Sequence, residues 1–264
     1  IYVAIGREAL TNATTVNANT AVGYLALQDN TAANNTAVGA SASLQNTTGT
    51  NNVSVGVYAL QNNTTGDGNT AVGVNALILN TTADDNTALG KHALYVNTTG
   101  GNNVAIGKDA LLGNTTADNN TAVGLQSLKT NSTGAGNTAV GRDALEANTT
   151  ASNNTAVGYD ALTATTTGHS NVAVGNSALA ANTTGQENTA LGAQALVTNT
   201  TASDNVAVGR QTMYANTTGA SNTAVGAYAL DANTTADDNT AVGVSALSAN
   251  TTGASNTSVG RSSM

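Results

Sequence analysis

The residues best equipped for chemistry are two histidines, a set of aspartates and a few glycine-flanked charges. His92 and His169 could each serve as a metal ligand or general base. They fall about four and a half repeat periods apart, roughly 20 Å along a stack of strands, too far to share one ion or one substrate. Asp84, Asp85, Asp118, Asp204, Asp237 and Asp238 recur at one place in alternate repeats. Calcium favours clustered oxygens, but alternate repeats hold these carboxylates about 10 Å apart. The calcium nonapeptide G-G-x-G-x-D is missing as well. A solvated acidic edge is the expected outcome.

Phosphate and nucleophile motifs fare no better. "GDG" at 66–68 and "GAG" at 134–136 lack the third glycine and following helix of a dinucleotide loop. "GNNVAIGKD" places Gly107 and Lys108 one residue too far along for a phosphate loop, and Asp109 stands where Ser or Thr belongs. No Ser-His-Asp set or glycine-flanked serine stands out. The reading is therefore no catalytic residue, no metal ligand and no cofactor, and the chain is not expected to be an enzyme. Arg7, Lys91, Lys108, Arg142, Arg210 and Arg261 each directly follow a glycine, several beside an acid, at a variable and therefore outward position. Tyr24, Tyr58, Tyr95, Tyr159, Tyr214 and Tyr228 are also at variable positions, where an exposed ring could stack on a sugar.

The elements that carry these residues follow from a period. Gly6, Gly23, Gly39, Gly56, Gly73, Gly90, Gly107 and Gly124 lead into Gly141, Gly158, Gly175, Gly192, Gly209, Gly226, Gly243 and Gly260. Each step is 17 residues except Gly23 to Gly39, which is 16 because one Thr of the corner is missing. The unit reads N-T-A-V-G-x-x-A-L-x-x-N-T-T-G/A-x-x, and its positions are numbered 1 to 17 from the first Asn. Alternation in N-T-A-V predicts a short strand with positions 2 and 4 on one face and the small position 3 on the other. Leu77, Leu94 and Leu111 represent an apolar position 9, while Asn80, Asn97 and Asn114 represent a polar position 12. The third repeat slips, with Ser43 at position 9 and Leu44 beside it.

Seventeen residues are too few for a helix-pair repeat but suit one coil of a parallel β-solenoid, although G-x-x-A-L could also close as a single helical turn. The whole array, residues 1–264, holds about 15.5 repeats and would form a rod about 70 Å long. Stacked coils place Asn over Asn in amide ladders and let the corner threonines bond neighbouring backbone. Each glycine marks either a positive φ or a backbone approach that excludes a Cβ. Position 15 alternates Ala and Gly, so that corner tolerates a Cβ, and the alternation points to an older 34-residue double unit. The N-T-T runs also fit the N-glycosylation acceptor pattern.

Composition bounds the remaining possibilities. There is no Pro, Cys, Phe or Trp, and only 8% of residues are charged, yet 40% are hydrophobic and regularly placed. Such regularity argues for order over disorder. Disulfides are excluded. A net charge of -8 makes nucleic acid an unsuitable partner, and no apolar run reaches the roughly 18 residues of a membrane span. Both ends fall inside a repeat without an initiator Met, from which a longer fibrous parent chain is expected. An isolated coil buries too little to offset the entropy of ordering its backbone, so stacking is obligatory. The small faces beside Gly suggest that identical chains pack there, as a homotrimer, or that copies join end to end.

At "NTAVGxxAL" and "NTTGxxNTAVG" the chain resembles repeat regions of bacteriophage tail-fibre and bacterial surface proteins. It is similar, more loosely, to the "NSVAIG"-type head repeats of YadA-like trimeric autotransporter adhesins, most closely at "NNVSVG" (51–56) and "NNVAIG" (102–107). The resemblance implies a trimeric, left-handed parallel β-roll, a place outside the cell or on a virion, and adhesion or spacing as the task. It departs from the adhesin pattern in its longer period and its N-T-T corner. A structural fibre or shaft is the leading expectation. A glycan-binding adhesin, with a host-surface glycan as partner, is the alternative, and an ice-binding solenoid comes third.

Overall fold

The computed structural model describes residues 2–13 and 18–264; Ile1 and the corner at 14–17 lie outside these. Two compact units divide the chain, Ile1–Ala135 and Gly136–Met264. In the first unit the strands are β1 (Val3–Ile5), β2 (Thr20–Val22), β3 (Thr36–Val38), β4 (Val53–Val55), β5 (Thr70–Val72), β6 (Thr87–Leu89), β7 (Val104–Ile106) and β8 (Thr121–Val123). In the second they are β9 (Thr138–Val140), β10 (Thr155–Val157), β11 (Val172–Val174), β12 (Thr189–Leu191), β13 (Val206–Val208), β14 (Thr223–Val225), β15 (Thr240–Val242) and β16 (Thr257–Val259). Each unit is a parallel β-solenoid with one strand per coil, and all regular structure among the described residues is strand. Pairing is residue on equivalent residue, as in Thr70↔Thr87, Ala71↔Ala88 and Val72↔Leu89. The 16-residue step is absorbed without a slip, since Thr20 still pairs with Thr36.

The direction of the strand side chains reverses the simplest expectation. The central Ala of each strand is the buried one: Ala71, Ala88 and Ala105 are fully enclosed. The larger residues on either side face outward, with Leu89 45% and Val140 37% exposed. The small faces are thus the lining of the coil and are not open to another chain. A three-residue strand gives only one inward position, and the narrow coil interior admits a methyl group there.

After the strand the chain bends at glycine. Gly73 has φ +136°, and a Cβ on it would stand 2.5 Å from the carbonyl oxygen of Gly90 in the next coil, so both expected reasons for glycine hold together. The A-L segment is a chain of turns with no helical turn. Asn75 and Leu77 both adopt left-handed φ, 58° and 52°, which interrupts any right-handed helix. A left-handed leucine costs about 1–2 kcal/mol. Complete burial of its side chain contributes about 1.5–3 kcal/mol, and its N–H donates to Ala93 O at 3.0 Å, so the conformation is held. The same geometry recurs at Leu94 and Leu111.

The third repeat shows how tightly this interior is matched. Ser43, in the place of leucine, is buried, and its hydroxyl donates to Ser54 Oγ at 2.9 Å. Ser54 itself replaces the central strand Ala of the next coil. Leu44 is displaced to a half-buried position. One polar pair fills the gap that the slip would otherwise leave.

Candidate functional site

Most of the buried polar chemistry is spent on closing and stacking coils. In one ladder Asn80 Nδ2 donates both to Asn63 Oδ1, 2.8 Å away in the preceding coil, and to Ala83 O at 3.0 Å. Asn97 and Asn114 repeat this with Gly100 O and Ala117 O. A second ladder runs along position 1. The backbone N–H of Asn69 donates to Asn52 Oδ1 at 2.8 Å, and Asn69 Nδ2 donates to the same Ala83 carbonyl at 2.8 Å. Two buried amides therefore converge on the position-15 carbonyl and tie the start of the coil to its end. The corner threonines form a third ladder, with Thr64 Oγ1 donating to Thr81 O at 2.9 Å and Thr81 Oγ1 to Thr98 O at 3.2 Å.

The glycines sit at the same bend throughout. Gly90, Gly107, Gly124, Gly141, Gly158, Gly175 and Gly192 have φ between 135° and 142°, like Gly73. Position 15 is more constrained than its Ala/Gly alternation suggests. A Cβ on Gly66 would stand 2.3 Å from Ala83 O, and one on Gly100 2.3 Å from Ala117 O. No two consecutive coils both carry Ala there, but the same close approach recurs where the next coil has Gly, as from Gly168 to Gly185 O at 2.3 Å, so it does not by itself set the alternation.

The groups that could have done chemistry are dispersed by the coil geometry. Among the described residues no group of three or more His, Cys, Asp and Glu is placed to hold a metal ion. His92 Nδ1 lies 3.1 Å from Asp109 Oδ1, and Lys108 Nζ is 3.7 Å from the other oxygen of that carboxylate. The His92 ring also meets Tyr95 edge-on at 5.3 Å. Of these, only the His92–Asp109 contact joins adjacent coils; the other two lie each within one coil.

The acidic corner does more than face water. Asp67, Asp84, Asp118 and Asp237 each direct Oδ1 to the N–H of the equivalent residue one coil earlier, at 2.6–2.7 Å. Ser203 accepts from Gln186 N in the same way at 3.0 Å. The carboxylates remain exposed but cap backbone donors that the corner leaves open.

Asp231 is a residue that the repeat pattern gave no reason to single out. Its Oδ1 is buried without a hydrogen-bond partner. Burial raises its carboxyl above the ordinary value of 3.8, against the lowering effect of hydrogen bonds from the backbone of Asp231 and Ala232. It was hidden because position 10 varies freely and the acid looks like any surface charge.

No family model and no curated protein matches the chain.

What is left open is a surface. Along each unit the outward columns at positions 2 and 4 are Thr or Val and Val, Ile or Leu, without a single charge. Because all strands run the same way, one edge of this face always carries position 6 and the other positions 16 and 17. The position-6 edge holds Arg7, Lys91 and Lys108 in the first unit and Arg142, Arg210 and Arg261 in the second, all exposed. The opposite edge holds Asp67, Asp84, Asp85 and Asp118 in the first unit, and Glu187, Asp204, Asp237 and Asp238 in the second. Three arginines lie on tyrosines of the next coil: Arg7 on Tyr24 at 5.7 Å, Arg142 on Tyr159 at 5.6 Å and Arg210 on Tyr228 at 4.7 Å. Arg210 also hydrogen-bonds the Tyr228 hydroxyl.

Proposed function

We propose that the chain is a structural shaft segment of an extracellular fibre, on a cell surface or virion, which associates with copies of itself and catalyses nothing. The observation that carries this reading is the use of the buried polar groups. Asn80 and its equivalents commit both amide hydrogens to coil closure and stacking, so the repeat is built for regular extension. The uncharged outward strand face supports self-association, because its position-4 column is an unbroken outward row of Val, Ile and Leu in each unit, and a regular apolar row of that kind suits a contact. The likeness of "NTAVGxxAL" to tail-fibre and adhesin repeats supports a spacing role and an extracellular place.

Solution mass combined with negative-stain microscopy tests the proposal. A stable oligomer or filament of rod-like particles is expected. A stable, folded monomer at micromolar concentration would overturn self-association. The second reading is a glycan-binding flank, favoured by the exposed Arg-Tyr pairs, whose rings and guanidinium groups together suit a sugar face. A glycan array on the purified chain, compared with Tyr159→Ala, separates the two.

A further inference from the structure

We infer that copies of this chain associate through the Thr/Val strand face with their coil axes parallel, and that the two charged edges set this sense. The inference rests on the self-associating shaft proposed above and names its surface and direction. The small residues on which a partner chain was first expected to pack are enclosed by the coil itself, as with Ala71 and Ala224. The outward columns are what remains: Val38, Val55 and Leu89 in the first unit and Val174, Val225 and Val242 in the second, each more than a third exposed.

Size decides whether this face suffices alone. Eight strands at about 4.8 Å and three residues at about 3.3 Å make a strip of roughly 380 Å² per unit. A standard interface takes about 800 Å² from each partner. The two strips of a chain together come to roughly 760 Å², just short of that, so the residues that flank them complete the contact. One edge is cationic at position 6. Of its cations Arg7, Lys108 and Arg142 already lean on Glu8, Asp109 and Asp143, while their own side chains stay 78%, 60% and 57% exposed. The other edge is acidic at positions 16 and 17 in both units.

Symmetry then selects the arrangement. Rotation about an axis parallel to the coil stack brings the cationic edge of one copy against the acidic edge of its neighbour at the same height. Rotation about an axis along the strands instead opposes like edges, which is repulsive. The first holds for two copies or three.

The chain contains no cysteine, so single cysteines can report the sense. Ala220 and Ala227 flank β14, the first on the acidic edge and the second on the cationic edge. A mixture of full-length Ala220→Cys and Ala227→Cys chains should form the mixed disulfide under mild oxidation, with little of either homodimer. Val225→Lys, in the middle of the face, should return the native mass to that of a monomer. A monomeric parent chain would overturn the self-associating shaft itself. An assembled parent that links Ala227→Cys chains to one another, or that keeps its mass with a folded Val225→Lys chain, would overturn the parallel face and leave the shaft standing. Should Val225→Lys fail to fold, the cysteine pair decides alone.

Discussion

Asn80 donates to Asn63 Oδ1 at 2.8 Å from within the next coil, and its own Oδ1 receives Asn97 Nδ2 at 3.0 Å. A single side-chain type thus acts as both rung and spacer. The ladder is satisfied only when every coil supplies the same amide at the same height.

Removing one rung should be costly. Asn97→Ala takes away the bonds to Asn80 and Gly100 and strands Asn114 Nδ2 opposite a methyl group. A loss of about 2–4 kcal/mol is expected. Hydrogen exchange should accelerate at the N–H groups of Thr98 and Thr115 while the second unit keeps its protection.

One coil invites repair. Thr165 stands where the neighbouring repeats have Asn, and the Asn182 Nδ2 to Thr165 Oγ1 contact is long, at 3.5 Å. Thr165→Asn should restore the rung and add about 1 kcal/mol, read as a higher denaturant midpoint with an unchanged slope.

Glycine substitutions should divide sharply. At Gly107 a Cβ would stand 2.3 Å from Gly124 O at φ +135°; at Gly101 the nearest atom is 3.2 Å away and no left-handed φ is required. Gly107→Ala is expected to cost at least about 2 kcal/mol, and Gly101→Ala about 0.5 kcal/mol. Thermal unfolding of the two variants side by side checks the difference.

Asp231 should give stability an inverted pH dependence. Its folded pKa lies above the unfolded value of 3.8, so in that window the folded state binds more protons than the unfolded state. Its contribution is therefore fully present below 3.8 and is lost as pH rises through the folded value. Asp231→Asn should equal the parent in acid and exceed it at neutral pH, measured by denaturant melts at both.

The acceptor sequences in N-T-T should be silent in the folded chain. Asn80 is buried with both amide hydrogens committed. An oligosaccharyltransferase should modify the urea-unfolded chain but not the folded one, with mass spectrometry as the readout.

Much of this architecture was legible before any coordinates. The spacing of glycines gave the coil, and the recurrence of Asn at two positions gave the ladders, because stacking forces identical residues into register. The orientation of the strand was not legible. Alternation separates Ala71 from Thr70 and Val72 but does not say which side is inside, and the usual preference for burying valine misleads where the coil is too narrow for it. The left-handed leucine at Leu77 was equally hidden, since its conformation is set by the coil it closes. Asp84 looked like a solvated acid because its backbone partner, Asp67 N, belongs to the preceding coil.

High-resolution cryo-microscopy of the native assembly tests the central claim most directly. The account predicts strands stacked at about 4.8 Å, one per 17 residues, with Ala71 and its equivalents inside the coil and Val72 and its equivalents outside. An assembly without that axial spacing, or with the valines enclosed and the alanines facing a neighbouring chain, would contradict it.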